Sequence, residues 1–340
     1  MNALATDVLA PRDQRGRPLR DLRVSVVETC NFRCPYCMPE GATPANDALD
    51  RAARLDFDEI ETAVRAFARL GVRKLRLTGG EPLLRRDLPV LVARLARVPG
   101  ITDIALTTNG SLLAGQARAL REAGLHRLTV SLDALDPAMF RALSGGRGEL
   151  DAVLAGITAA EAAGFGPLKI NCVVQRGVNE SQVLPLAGHF RGTPHVLRFI
   201  EYMDVGTCNG WRPGQVVPSR ELHAAIHARW PLRALQPGYR GEVATRHAYV
   251  DGAGEVGFVS SVSEPFCGDC HRARLSADGQ LYTCLFAARG EPLRGHIARG
   301  EEALAGHVAG LWRGRADRHS EQRAATTRPS RRIEMYYIGG

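Results

Sequence analysis

Six short apolar runs alternate with amphipathic helices between Leu22 and Met203, and the sequence turns Pro- and Gly-rich after about residue 205. Together these features predict an α/β fold of six βα units followed by a second region. The runs are "LRVSVVE" from 22, "KLRLT" from 74, "IALTT" from 104, "RLTVS" from 127, "LKINCVV" from 168 and "HVLRFIEYM" from 195. Strands that alternate with helices pair in parallel through right-handed crossovers. Six units fall short of the eight that close a TIM barrel. The expectation is therefore an incomplete (βα)6 TIM-type barrel, with ligands at the C-terminal ends of its strands and a C-terminal region covering the open side. The expected division is an N-terminal extension over 1–20, the partial barrel over 21–205 and the C-terminal region over 206–340.

The elements carry their own punctuation. Between the first two strands Asp56 is placed to cap a helix with Glu59 three residues on; Ile60, Val64 and Phe67 form its buried stripe, and Gly71 ends it. Gly124 and Gly164 close later helices in the same way. In the second region "RLSADGQLYTC" reads as a hairpin turning at Asp278-Gly279, which sets Cys284 opposite Ala273 and close to Cys270. Arg272 and Arg274 then share one strand face beside Cys270.

Composition fits a soluble globular chain: 340 residues with 45% hydrophobic, no visible repeat, no apolar leader and no run approaching a membrane span, so the cytoplasm is expected. The net charge of +8 comes from 42 arginines and two lysines, Lys74 and Lys169. No basic run is interleaved with aromatics, which favours a solvated basic surface over a nucleic-acid footprint. The eight cysteines form two tight triplets, Cys30, Cys34, Cys37 and Cys267, Cys270, Cys284, plus the singles Cys172 and Cys208. A disulfide framework belongs to small secreted domains, so metal binding is the better reading of the triplets. Cys172 is expected to be buried against the helices and Cys208 to be a linker thiol, neither of them a ligand.

Parallel strands covered on both faces normally read as continuous Val, Ile and Leu. Here polar residues recur at every second position. In "LKINCVV" the set Leu168, Ile170, Cys172 and Val174 should meet the helices, which turns Lys169 and Asn171 into the lumen. The same parity points Arg23 and Ser25, Lys74 and Arg76, Thr107, and Thr129 and Ser131 inward. It gives Arg198 and Met203 opposite faces and leaves that strand undecided. Cations buried without partners are costly, so the lumen calls for a polyanionic ligand unless individual side chains snorkel to its ends or find a carboxylate.

The first triplet has the spacing C-x3-C-x2-C. A helical stripe would have the same spacing, but Pro35 disfavours helix at Cys34 and places the triplet in a loop after a strand. No nearby fourth ligand completes a zinc site. An iron–sulfur cube held by three thiolates leaves one iron open for an outside ligand. The second triplet, C-x2-C-x13-C, lacks the second C-x2-C of a zinc ribbon, although His271 offers a possible fourth zinc ligand.

"CNFRCPYC", with Phe32 and Tyr36 at these places, resembles the cluster loop of the radical S-adenosylmethionine (SAM) enzymes, and "LTGGEPLL" from 77 resembles their stretch beside the methionyl end of SAM. Both triplets, "RFIEYMDVG" and the terminal "MYYIGG" are similar to the subfamily that cyclises GTP in the first step of molybdenum cofactor biosynthesis; the similarity runs from about Leu19 to Gly340. The resemblance implies two 4Fe–4S clusters, on Cys30, Cys34, Cys37 and on Cys267, Cys270, Cys284, the second using its open iron to hold the guanine edge. It implies SAM contacts at Tyr36, Gly80, Ser131 and Met203, and GTP contacts at Arg23, Arg76, Thr107, Lys169, Arg272 and Arg274. Arg272, Arg274 and the tail glycines Gly339 and Gly340 are implied to be needed for catalysis, and Arg272 and Arg274, with Lys169 and Lys74, suit a triphosphate. A 5'-deoxyadenosyl radical made from SAM would remove the 3' hydrogen of GTP, and the C3' radical would close on C8. Implied partners are a flavodoxin- or ferredoxin-like electron donor, a downstream cyclic pyranopterin monophosphate synthase and a second copy of the chain; no membrane or nucleic acid is expected. Departures from the family pattern are Glu28 and Thr29 before the first cysteine and His271 in the second triplet. The rival readings are a peptide-modifying radical SAM enzyme and a zinc-stabilised nucleic-acid-binding protein.

Overall fold

The computed structural model describes residues 10–39, 41, 53–323 and 332–339, and in it all six expected strands form and pair in parallel, one beside the next in chain order. They are β1 (Asp21–Ser25), β2 (Lys74–Thr78), β3 (Asp103–Thr108), β4 (Arg127–Ser131), β5 (Lys169–Val174) and β6 (Val196–Glu201). The C-terminal region adds β7 (Leu232–Leu235), β8 (Thr245–Tyr249), β9 (Glu255–Val259), β10 (Arg272–Leu275), β11 (Gln280–Tyr282) and β12 (Glu291–Pro292). The resulting sheet runs β12-β11-β10-β1-β2-β3-β4-β5-β6-β9-β8-β7. The six-unit core is thus an incomplete TIM-type barrel, and the later chain extends both of its edges: β10 pairs in parallel with β1, and β9 with β6.

Helices cover the outer face. Helix Phe57–Arg69 starts with the anticipated capping box, Asp56 accepting from the Glu59 amide and Glu59 from the Asp56 amide, each at 2.8 Å. Ile60, Val64 and Phe67 are buried, and Gly71, Gly124 and Gly164 follow their helices at positive φ. Leu168, Ile170, Cys172 and Val174 are each 0% exposed while Lys169 and Asn171 stay partly open, as period-two alternation requires. No helix among the described residues is long and apolar enough to cross a membrane.

Three local expectations are corrected. The first run ends as a strand at Ser25 rather than Glu28: the Val26 amide still reaches Thr78 O at 2.9 Å, and the chain then turns into the cysteine loop. The sixth strand ends at Glu201, so Met203 lies beyond it and parity no longer governs its direction. In the C-terminal hairpin Leu275 pairs with Leu281 and Arg274 with Tyr282, one residue out of the expected register. Ser276 bonds to Gln280, leaving Ala277, Asp278 and Gly279 as a three-residue loop with Gly279 at φ +85°. A turn of this length selects its own register, and Cys284 is therefore not opposite Ala273.

Glu201 fastens the later chain to the core. Completely buried, it accepts from the amides of Ser219, Val262 and Ser263, each at 2.8 Å. Removing the cap at the other end of the core is a milder change: Asp56→Ala is expected to lower stability by about 1 kcal/mol, read as a shift in urea midpoint with unchanged slope.

Candidate active site

Parallel pairing sets inward residues level with one another. Arg274 of β10 is in register with Arg23 of β1, and Arg23 with Arg76 of β2. One level away Arg272, Asp21, Lys74 and Asp103 line up in the same manner, and Thr107, Thr129 and Lys169 form a further row. Apart from Asp103 and Thr129, the residues of these rows line a chamber with about 1470 Å3 of empty space, including the part open to solvent. Its walls bring together Arg23, Arg76, Thr107, Lys169, Met203, Arg272 and Arg274 with all three cysteines of the second triplet.

The chamber is strongly cationic. Burial pushes Arg23 well below its ordinary range, and the neighbouring Arg274, Arg76 and Arg272 push the same way. Burial and Arg272 bring Arg274 down to about 10, burial and Arg76 bring Arg198 to about 9, and burial with Arg198 brings Lys169 to about 7. Some of the charge is partnered: Arg76 Nη1 donates to Thr107 and Thr129 hydroxyls at 2.9 and 3.1 Å, and Arg198 donates to Asn171 Oδ1 at 3.0 and 2.7 Å. The carboxylate among the described lining residues, Asp21, is already met by His271 at 3.2 Å. Phe266, Leu285, Phe286, Val259 and Ile200 supply an apolar part of the wall.

The second triplet borders this chamber. Burial opposes ionisation of Cys270, yet Arg272 and Arg315 outweigh it and bring the thiol down to about 6. Arg272 Nη2 lies 3.5 Å from Cys270 Sγ. Cys284 is pushed up to about 12 by burial, with Cys270 among the charges acting on it. Thiols from two loops thus line one chamber beside a guanidinium, near enough for the charge of Cys270 to act on Cys284, a donor set that fits a thiolate-bound cluster. His271 is not free to join them, because its Nδ1 meets Asp269 O at 3.0 Å and its Nε2 meets Asp21. Among the described residues no three His, Cys, Asp or Glu side chains converge on a single ion position, at either triplet.

The first triplet lies on the loop after β1, off this chamber's lining, together with Tyr36, Gly80 and Ser131. Burial pushes Cys30 up to about 11 and raises Cys34 and Cys37 further, with Cys37 and Cys30 adding to the shift of Cys34 and Cys30 to that of Cys37. Buried thiols that oppose one another's ionisation fit an added cation centre. Tyr36 donates its hydroxyl to Asp133 at 2.6 Å, and Asp133 accepts the Val173 amide at 2.8 Å, so the ring is tied to the ends of β4 and β5. Ser131 is in register with Asn171, which lines the chamber. The altered Glu28 is held by Arg54 at 2.8 and 2.5 Å.

The two glycines of "LTGGEPLL" allow close backbone approach, and what approaches them is the cysteine loop itself. A Cβ on Gly79 would lie 2.2 Å from Val27 O, and one on Gly80 2.1 Å from Thr29 O. The Gly80 and Glu81 amides bond to Val27 O and Thr29 O at 2.8 Å. Glu81 is pushed up to about 7 by burial and accepts from Leu83 N, Thr108 Oγ1 and Asn109 N. Asn109 in turn donates to Asn31 at 2.9 Å and reaches Cys30 Sγ at 3.8 Å.

The C-terminal tail reaches the same place. Arg274 donates to Gly339 O, and a Cβ on Gly339, whose φ is +68°, would lie 2.2 Å from the Thr78 methyl. Gly340 lies outside the described residues. Glu334 holds the tail to the loop after β6, accepting from Thr207 N at 2.9 Å and from Cys208 Sγ at 2.8 Å, so Cys208 is a tail contact rather than a bare linker thiol. Asp204, against its own burial, is held well below the carboxylate range by His319, Arg323 and Arg332, with Arg323 and Arg332 at 2.9 and 3.0 Å.

Sequence reasoning missed Glu81, Asn109, Asp133 and Tyr239. Glu81 stood in a quoted stretch and Asn109 before a glycine at a strand end, where functional loops begin. Tyr239, which packs on Lys74 at 4.9 Å and lines the chamber, lies in a Pro- and Gly-rich stretch without periodicity. Gly80→Ala is expected to force Thr29 away and to lower the iron retained by the first triplet, measured as iron and sulfide per chain after reconstitution, with the second triplet's share unchanged.

A family model for the radical SAM superfamily matches residues 24–189, and one for the C-terminal part of molybdenum cofactor synthesis proteins matches 195–321. A GTP 3',8-cyclase of Xanthomonas campestris pv. campestris is 67% identical over 97% of each chain. Those of Acidothermus cellulolyticus and Staphylococcus aureus are 52% and 43% identical, each over 97% of this chain and 99% and 98% of theirs. Streptococcus suis SuiB, solved bound to S-adenosylmethionine, shares the fold with a TM-score of 0.62 at 14% identity, over 87% of this chain and 69% of its own. At such identity over nearly the whole length, with both halves matched, the chain belongs to the GTP 3',8-cyclase family of radical SAM enzymes.

Proposed function

We propose that this chain converts GTP to (8S)-3',8-cyclo-7,8-dihydroguanosine 5'-triphosphate, the first step of molybdenum cofactor biosynthesis. The observation that carries the reading is the chamber: a row of arginines suited to a triphosphate shares its walls with a second cysteine triplet. Membership of the radical SAM enzymes brings a 4Fe–4S cluster and SAM. When bound, they supply a 5'-deoxyadenosyl radical that takes the 3' hydrogen of GTP so that C3' can bond to C8.

The chain's own residues bind, orient and exclude water. Cys30, Cys34 and Cys37 would hold the first cluster, with Tyr36, Gly80, Ser131 and Met203 around SAM. Arg23, Arg76, Arg272, Arg274 and Lys169 would grip the phosphates, since guanidinium forks match phosphate oxygens. Thr107, which accepts from Arg76 at 2.9 Å, would position the sugar end. Cys267, Cys270 and Cys284 would hold a second 4Fe–4S cluster, which would offer an open iron to the guanine edge. Gly339, bonded to Arg274, would border the substrate, and Gly340 would be needed with it for activity. In this reading residues 21–205 hold SAM, 206–340 hold the guanine end, and 1–20 precede them. A flavodoxin- or ferredoxin-like donor would deliver two electrons, one to cleave SAM and one, with a proton, to complete the 7,8-dihydro product; a cyclic pyranopterin monophosphate synthase would take that product, and the enzyme would work in the cytoplasm, as a homodimer by family analogy.

The reaction is tested with GTP deuterated at C3' under anaerobic turnover. Deuterium should appear in 5'-deoxyadenosine; unlabelled 5'-deoxyadenosine formed in step with product would overturn the assignment. The electrostatics predict a proton linkage. Lys169, brought to about 7 by burial, should regain its proton beside a triphosphate. GTP binding at pH 8 should therefore take up about one proton, and affinity should fall as pH rises through 7 to 9. Calorimetry in buffers of different ionisation heat reads the uptake, which Lys169→Met should abolish.

A further inference from the structure

The N-terminal segment grips the second cysteine triplet from behind. Asp13, Arg17 and Arg315 are 6%, 3% and 5% exposed and form one ion network. Asp13 Oδ2 accepts from Arg17 Nε at 2.6 Å and from Arg315 Nη1 at 3.0 Å, while its Oδ1 accepts the amides of Arg15 and Arg17 at 2.9 Å. The two guanidiniums then reach the backbone of the cysteine loops. Arg17 Nη1 donates to Cys267 O at 2.7 Å, Arg315 Nη1 to Cys270 O at 2.8 Å, and Arg315 Nε at 3.1 Å to the carbonyl of Thr283, which precedes Cys284. Every cysteine of the triplet is thus tied at its own carbonyl or at the one before it. Asp317 closes the set: its carbonyl takes Arg17 at 2.8 Å, and its carboxylate takes Arg315 at 3.2 Å and the Thr283 hydroxyl at 2.6 Å. Trp312 packs under Arg315 at 4.5 Å and bonds to Arg17 O at 3.0 Å.

We propose that Asp13, Arg17 and Arg315 form a positioning clamp that holds the two cysteine loops of the second triplet at the separation its iron–sulfur cluster needs, a proposal that rests on the reading of that triplet as a cluster site. The loops are joined only through a hairpin, and the cluster must bridge them. Two guanidiniums sharing one buried carboxylate fix both loops to the same point. With Asp317 the four charges balance, so the clamp also sets the charge behind the cluster, one of the levers on its reduction potential.

The test compares the full-length enzyme with Asp13→Asn and Arg315→Gln after anaerobic reconstitution. It reads iron and sulfide per chain, the paramagnetic resonance of each cluster and the midpoint potential of each. In both variants the second cluster should be selectively depleted, total iron falling by up to about half, while the SAM-responsive signal of the first cluster keeps its wild-type intensity. The second cluster that remains should be reduced at higher potential in Asp13→Asn, which leaves the arginines less balanced, and at lower potential in Arg315→Gln. These opposed shifts are not expected from a general loss of stability. Should Asp13→Asn fail to fold, Arg315→Lys decides: it keeps the charge but cannot serve Asp13, Thr283 and Cys270 together, and selective depletion is again expected. Full occupancy with unchanged potentials, or equal loss at both clusters, overturns the clamp while leaving the triplet a cluster site. A wild-type enzyme with a single cluster overturns both.

Discussion

The structure depends on the parallel register of β10, β1 and β2, which sets Arg274, Arg23 and Arg76 side by side. Neighbouring strands are about 4.8 Å apart, so three guanidinium stems rise from one short row. At separations near 5 Å and an effective dielectric of about 20, each like-charge pair costs on the order of 3 kcal/mol. The fold bears this repulsion by spreading the heads across the chamber and sharing hydroxyl and amide acceptors, as Arg76 does with Thr107 and Thr129. A polyanion relieves the rest. In the proposed reading, the repulsion left among these arginines would become binding energy for a triphosphate.

That row exists because chain segments far apart in sequence are brought together. Arg274 comes from the C-terminal region, added to the free edge of β1, while β9 is added to the opposite edge at β6. Carboxylates secure the additions: buried Glu201 collects amides from the later chain, and buried Asp204 with the partly exposed Glu334 draws the tail across the strand ends. The chamber is a property of the assembled sheet, and its contents, cations at one wall and apolar rings at another, match a ligand with a phosphate end and a planar aromatic end.

Much of this was legible from neighbouring residues. Parity within "LKINCVV" turned Lys169 and Asn171 inward, and the structure lines the chamber with both. The spacing of Cys30, Cys34 and Cys37 with Pro35 marked a loop, and Asp56 with Glu59 marked a helix start. Illegible were features decided by loop length or by strand ends. Gly279 in a three-residue turn slid the hairpin by one residue, and the end of β6 at Glu201 freed Met203 from parity, so that it and Arg198 face the same space. The close contacts of Gly79 and Gly80 also fell on an unforeseen partner, the backbone of the cysteine loop.

The sequence by itself determined the six βα units, the inward and outward faces of their strands and the two sets of thiols. Each is a matter of residues one to a few positions apart, where dihedral preferences and side-chain alternation act directly. Only the tertiary structure decided which inward residues share a level, that Asp21 is taken by His271 and so leaves the arginine row unbalanced, that the tail meets Thr78, and that Asp13 stands behind the second triplet. Those outcomes come from pairing segments separated by up to some three hundred residues, and that pairing is chosen by burial and register over the whole sheet, which no local pattern encodes.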